Sequence, residues 1–198
     1  MEFQEEQKST FKVVIIGNES VGKTSILTRL ISNTFNPYEP GTLGPSNQVY
    51  EEQVEGETIC MQLWDTAGQE KFKSLSPIYF QNASAAVIVF SFTNRESFDS
   101  LQQQIRQFID IAGEDTVIFI AANKADLADD FEISIEEAKQ WASDSKYRVF
   151  LTSAKSGEGI KQLFAELAAD IYHKNQHKFQ TVSPDLKNNT EEKKSCCK

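Results

Sequence analysis

Apolar residues in this chain follow two rhythms. Six short segments are continuously apolar or alternate, at residues 11–16, 48–54, 58–64, 85–92, 116–122 and 148–152. They read as strands. Between them, apolar positions recur every three or four residues at 23–33, 71–81, 95–112, 134–145 and 159–174, and these read as five helices. In the third helical segment Phe98, Leu101, Ile105, Phe108 and Ile109 share a face; in the last, Ile160, Leu163, Phe164, Leu167 and Ile171 do. Both stripes are assigned to the core. The alternation predicts a three-layer α/β/α fold, with a six-stranded, mostly parallel sheet between two layers of helices. The segments 48–54 and 58–64, joined by Glu55-Gly56-Glu57, predict a hairpin that supplies one antiparallel edge strand. Ligands of such sheets bind beyond the carboxyl ends of the strands, so chemistry is expected there.

Four strand ends carry it. The first strand passes into the first helix through Gly17-Asn18-Glu19-Ser20-Val21-Gly22-Lys23-Thr24. The glycines let successive N–H groups close on phosphate oxygens, Lys23 brings a point charge to the terminal phosphates, and the Thr24 hydroxyl suits Mg²⁺. This is a phosphate-binding loop for a nucleoside triphosphate. The third strand ends in Trp64-Asp65-Thr66-Ala67-Gly68-Gln69. Asp65 is placed to hold Mg²⁺ through a water, Gly68 to bring its N–H against a γ-phosphate, and Gln69 to orient an attacking water. The fifth runs into Asn123-Lys124-Ala125-Asp126. A carboxylate there accepts from guanine N1–H and the exocyclic amine together, a pair that adenine lacks, so guanine is the favoured base. After the sixth, Ser153-Ala154-Lys155 offers a backbone N–H to the guanine O6.

In order and spacing these four motifs resemble the Ras superfamily of small GTPases, over residues 11 to 174. Within it, Trp64 to Glu70, Tyr79 and the paired Cys196-Cys197 are similar to the Rab family, the regulators of vesicle traffic, and Leu75 to Phe80 resembles its early-endosomal branch. The resemblance implies GTP or GDP with Mg²⁺ as ligands. It implies that Phe35 lies against the guanine ring, that Lys124 covers the base, that Ser25 touches the α-phosphate, and that Thr42 joins Mg²⁺ when GTP is bound. It also implies an exchange factor, a GTPase-activating protein, a GDP-dissociation inhibitor or escort protein, and effectors. The loop from Phe35 to Gln48 contains no Arg or Lys, which excludes a built-in arginine finger there. Hydrolysis is therefore expected to be slow until a partner supplies one.

Composition adds limits. The chain of 198 residues with 39% hydrophobic content is long enough for one core without staples. Residues 1–10 are read as a flexible extension, 11–174 as the nucleotide-binding domain and 175–198 as a disordered tail. The segment Lys174 to Lys198 carries +3 and the rest −12. An acidic body argues against nucleic acid, and a monomer is expected. Cys60 is assigned to the core. Cys196-Cys197-Lys198 does not fit the C-a-a-X box, but resembles the doubly geranylgeranylated ends of Rab proteins. Two chains give stable anchoring where one gives marginal binding, so the expected location is the cytosol and the cytoplasmic face of intracellular, endosomal membranes. The opening residues lack the basic and apolar regions of a signal peptide.

Two positions depart from the family pattern. Asn47 stands where Rab proteins usually carry a Phe that packs with Trp64 and Tyr79 in an effector-binding cluster. Glu19 stands where many relatives carry glycine, and its carboxylate either opposes the γ-phosphate and crowds incoming groups or points into water. Two other functional classes remain: a nucleotide-locked scaffold without turnover, and a P-loop kinase, which would need a basic lid that no segment between the motifs supplies.

Overall fold

The computed structural model describes residues 9–42, 44, 46–66 and 76–176. Six strands, β1 (Thr10–Ile16), β2 (Ser46–Val54), β3 (Glu57–Asp65), β4 (Ala85–Ser91), β5 (Val117–Asn123) and β6 (Arg148–Leu151), form one sheet in the order β2-β3-β1-β4-β5-β6. Every pairing is parallel except β2 with β3. The helices are α1 (Lys23–Ser32), α2 (Ser76–Phe80), α3 (Arg95–Asp99), α4 (Leu101–Ala112), α5 (Ile135–Ser145) and α6 (Ile160–Lys174), with a 3₁₀ turn at Ala128–Asp130.

The two faces of the sheet follow from side-chain alternation. In β1, Phe11, Val13 and Ile15 join Ile26, Leu27 and Leu30 of α1 and the stripe Ile160, Leu163, Phe164, Leu167 and Ile171 of α6. Val14 and Ile16 point the other way, to Phe98 of α3, Leu101, Ile105 and Phe108 of α4 and Ala138 of α5. β4 divides likewise, with Ala85, Val87 and Val89 on the first face and Ala86, Ile88 and Phe90 on the second. Each fully buried large side chain contributes about 1.5–3 kcal/mol. The five residues of the α6 stripe are at most 1% exposed, so that helix is fastened along its length. Cys60 is buried, as a small core residue would be.

The β2–β3 hairpin has the expected antiparallel pairing, from Ser46 opposite Asp65 to Val54 opposite Glu57. Its two-residue turn puts Glu55 at φ 52° and Gly56 at φ 89°, a double left-handed geometry that matches strand twist.

Among the described residues six helices stand where five were expected. The segment 95–112 is broken at Ser100, whose N–H is shared between the carbonyls of Glu96 and Phe98 and whose ψ is −7°. The Ser100 hydroxyl is drawn to Asn18 Oδ1, 3.0 Å away on the loop after β1. Periodicity missed the break because the apolar stripe runs through it. Helix α6 starts one residue late because Gly159, at φ 69°, is left-handed and cannot open a right-handed helix; only glycine fits there, since a Cβ would lie 1.9 Å from the Leu151 carbonyl oxygen. Residues 71–75 of the expected second helix lie outside the described residues.

Candidate functional site

The loops after β1, β5 and β6 surround a cavity of about 560 Å³, closed on another side by residues 35–42. Its phosphate-loop side starts at Gly17. A Cβ on Gly17 would sit 2.4 Å from the Val89 carbonyl oxygen, and one on Gly22 the same distance from Asn123 Nδ2, so neither position accepts a side chain. Glu19, Ser20, Gly22, Lys23, Thr24 and Ser25 line the cavity. Val21 does not: its side chain is fully buried in the core and only its backbone belongs to the loop.

Lys23 is 5% exposed. Its ammonium donates to the carbonyls of Gly17 at 2.9 Å and Asn18 at 2.7 Å. Burial pulls its pKa down to about 8, against the opposing charges of Asp65 and Glu19. Glu19 itself is exposed at the cavity rim.

Three side-chain oxygens meet beside Lys23. Thr24 Oγ1 donates to Asp65 Oδ2 at 2.6 Å and lies 2.6 Å from Thr42 Oγ1. Asp65, at the end of β3, is 1% exposed. Burial pushes its carboxyl pKa up; the Thr24 hydroxyl and the Lys23 charge oppose that, while Glu39 adds to it. Asp65 Oδ1 is buried with no hydrogen-bond partner among the described residues. An unmet buried acceptor costs about 1–3 kcal/mol, and one belonging to an all-oxygen cluster fits a hard divalent cation or its bound water. Thr24, Thr42 and Asp65 are thus the residues suited to Mg²⁺.

On the opposite side, Asn123 is 1% exposed and joins three loops. Its Nδ2 donates to the Val21 carbonyl at 2.8 Å, and its Oδ1 accepts from the Ala154 N–H at 3.3 Å and the Thr152 hydroxyl at 3.4 Å. Lys124 (φ 63°) and Asp126 line the cavity with Phe35, Ala154 and Lys155. Burial lowers the Lys124 pKa and the Asp126 charge opposes the shift. Ser153 is buried outside the cavity and donates from Oγ to Asp126 Oδ1 at 2.6 Å, while the Lys155 ammonium lies 3.9 Å from Oδ2. The side chain of Ser153 therefore aims the carboxylate, a role not legible in the motif.

Two further features escape a reading of the sequence. Asn18 Oδ1 also accepts from Gln104 Nε2 at 2.6 Å, fixing the phosphate loop to α4. Thr66 donates to the Ile15 carbonyl at 2.6 Å, tying the end of β3 to β1. Asn18 and Thr66 sit inside the motifs and Gln104 outside them, but no motif spacing marks the contacts they make. Gly68, Gln69, Cys196 and Cys197 lie outside the described residues.

A second surface sits on the hairpin side. Asn47 is opposite Trp64 in the β2–β3 register, and Trp64 meets Tyr79 with ring centroids 6.0 Å apart. The Lys12 ammonium lies 5.0 Å over the Trp64 ring. Asn47, Val49 and Glu51 are all exposed, on the face of β2 turned away from Gln48 and Tyr50.

The sequence matches the family model described as Ras family over residues 12–173. That stretch runs from β1 into the last turn of α6 and includes every loop around the cavity. With the match covering most of the 198 residues, the chain belongs to the Ras family of small GTPases, guanine-nucleotide switches built on this α/β fold.

Proposed function

We propose that this protein is a Rab-type switch that binds GTP or GDP in the cavity, hydrolyses GTP slowly and recruits effectors to intracellular membranes during vesicle traffic. The observation that carries the switch is the meeting of Thr42 with Thr24 and Asp65. Thr42 belongs to the loop that closes the cavity, so a triphosphate and its cation give that loop a reason to stay closed. Loss of the γ-phosphate removes it. Asp126, aimed by Ser153, holds the guanine edge; Lys124 and Phe35 flank the ring; Ser25 and the N–H groups of residues 19–24 hold the phosphates. Mg²⁺, when bound, offsets charge on the phosphate oxygens. Lys23 exchanges its two carbonyl partners for phosphate oxygens and keeps its proton. Gln69 orients water, and Gly68 presents its N–H to the γ-phosphate.

The Rab assignment is supported by the half-buried Trp64–Tyr79 contact beside the exposed Asn47 and Val49 of β2 and by the paired terminal cysteines, proposed as prenylation sites. Asn47 beside that contact favours an effector with a polar group at this point, since a buried unpaired amide costs about 1–3 kcal/mol.

Single-turnover hydrolysis tests the switch. Gln69→Leu is expected to bind GTP as the wild type does but to hydrolyse it more slowly, with the larger difference in the presence of an activating protein. A wild-type protein that turns over no GTP even with activators is instead the locked scaffold.

Lys23 sets a pH dependence. Free, it titrates near pH 8; beside phosphates its pKa rises, so binding takes up a proton above that pH. GDP affinity is expected to be flat below about pH 8 and to fall above it, by at most about tenfold per pH unit. Titration of a fluorescent GDP from pH 7 to 9.5 checks this; affinity that rises across the window rules it out.

A further inference from the structure

Arg29 lies in the last turn of α1, outside the sequence of every nucleotide motif. Its guanidinium spans from that helix to the loop after β6. Nε donates to the Ala154 carbonyl at 2.8 Å and one terminal nitrogen to the Lys155 carbonyl at 2.6 Å. The other donates to the Asn33 carbonyl at 2.8 Å. The loop packs on the arginine stem as well, since a Cβ on Gly157 would sit 3.4 Å from Arg29 Cδ.

We infer that Arg29 is a positioning residue for base recognition: by holding the carbonyls of Ala154 and Lys155, it sets the peptide whose N–H meets the guanine O6. The inference rests on the nucleotide reading proposed above and adds to it a residue outside the motifs. The geometry follows from the peptide bond. No cis peptide occurs among the described residues, so within the peptide joining Ala154 to Lys155 the N–H points opposite to the C=O. Fixing the Ala154 carbonyl toward Arg29 directs the Lys155 N–H to the other side of the peptide. The other end of Ala154 is held by the N–H contact to Asn123 Oδ1. A fork of charge-assisted donors fits two successive carbonyls where a lysine ammonium fits one. Loop closure is otherwise local, through the Gly157 N–H to the Ser153 carbonyl at 2.7 Å and the Ser153 N–H to the Glu158 carbonyl at 3.1 Å. Those bonds shape the loop, and Asn123 ties its start to the Val21 carbonyl before α1; Arg29 ties the same loop to the far end of that helix.

The test compares GDP with 6-thio-GDP, in which a weakly accepting sulfur replaces O6 while N1–H and the amine remain for Asp126. Arg29→Ala is expected to weaken GDP by about tenfold and 6-thio-GDP by less than about threefold, so the wild-type preference for GDP collapses. Arg29→Gln, which keeps the stem and two uncharged donors, is expected to fall between, with the same selectivity; it decides the matter if Arg29→Ala does not fold. Equal losses for both nucleotides, or no loss in either variant, overturn the role of Arg29 while leaving the cavity's nucleotide reading intact. A wild-type protein that binds the two nucleotides equally shows instead that O6 is not read by this loop, and removes the inference at its base.

Discussion

Asp126→Asn is expected to convert the protein from a guanine binder to one that prefers xanthine nucleotides. The carboxylate accepts two hydrogen bonds from the guanine edge in the proposed complex, each charge-assisted and worth about 1.5–3 kcal/mol. Replacing one carboxylate oxygen with an NH₂ turns one acceptor into a donor that faces the exocyclic amine. GDP affinity should fall by about 10²–10⁴-fold. Xanthine carries a carbonyl where guanine carries the amine, so the same NH₂ finds an acceptor and XDP binding should rise. The Ser153 hydroxyl, 2.6 Å from Oδ1, keeps one side-chain atom fixed in either case. Competition of GDP and XDP against a fluorescent nucleotide measures both. Unchanged preference in the variant would place the base elsewhere. Ser153→Ala is expected to lose less, because it frees the carboxylate to rotate without removing it.

The second large effect is expected at Asp65. Oδ2 is already engaged by Thr24 at 2.6 Å, whereas Oδ1 is buried without a partner among the described residues. Asp65→Asn keeps the shape and removes the charge. Losing an outer-shell partner of a metal costs about 10–100-fold in metal affinity, so the Mg²⁺ concentration that half-saturates the GDP complex should rise by that factor. A second consequence separates this from general damage. Asp65 is the stronger of the two charges opposing the burial of Lys23, so without it the Lys23 pKa should drop further below 8. The fall in GDP affinity with rising pH should then begin at a lower pH than in the wild type. Calorimetric Mg²⁺ titration and the pH series test the two halves; an unchanged metal requirement would rule out Asp65 as a holder of the ion.

The layering of helices on a mostly parallel sheet, by contrast with these effects, needed little beyond the sequence. The apolar segments of β1, β4 and β5 announce buried parallel strands because both of their faces pack on helices. The α6 stripe from Ile160 to Ile171 announces the helix that covers one of them. The phosphate loop is legible for a similar reason, since its requirements are local: a strand end, glycines where a Cβ would strike Val89 or Asn123, and a Lys-Thr pair opening a helix. Each is a constraint between near neighbours, and the chain records such constraints in residue type.

What only the tertiary structure decided concerns residues that meet across the chain. Thr24 reaches Thr42 over 18 residues and Asp65 over 41; Ser153 reaches Asp126 over 27; Ser100 is pulled out of a continuous helix by Asn18, 82 residues away. Arg29, an ordinary basic residue of a helix end by sequence, spans 125 residues to the Ala154 carbonyl. The sequence by itself determined the α/β layering, the cradle for phosphates and the candidates for metal and base, because periodicity and glycine geometry act over a few bonds. Which way Asp126 faces, why Lys23 titrates near 8 and which oxygen of Asp65 lacks a partner among the described residues were decided by packing. Hydrogen-bond direction and burial depend on groups that the chain brings together only when folded.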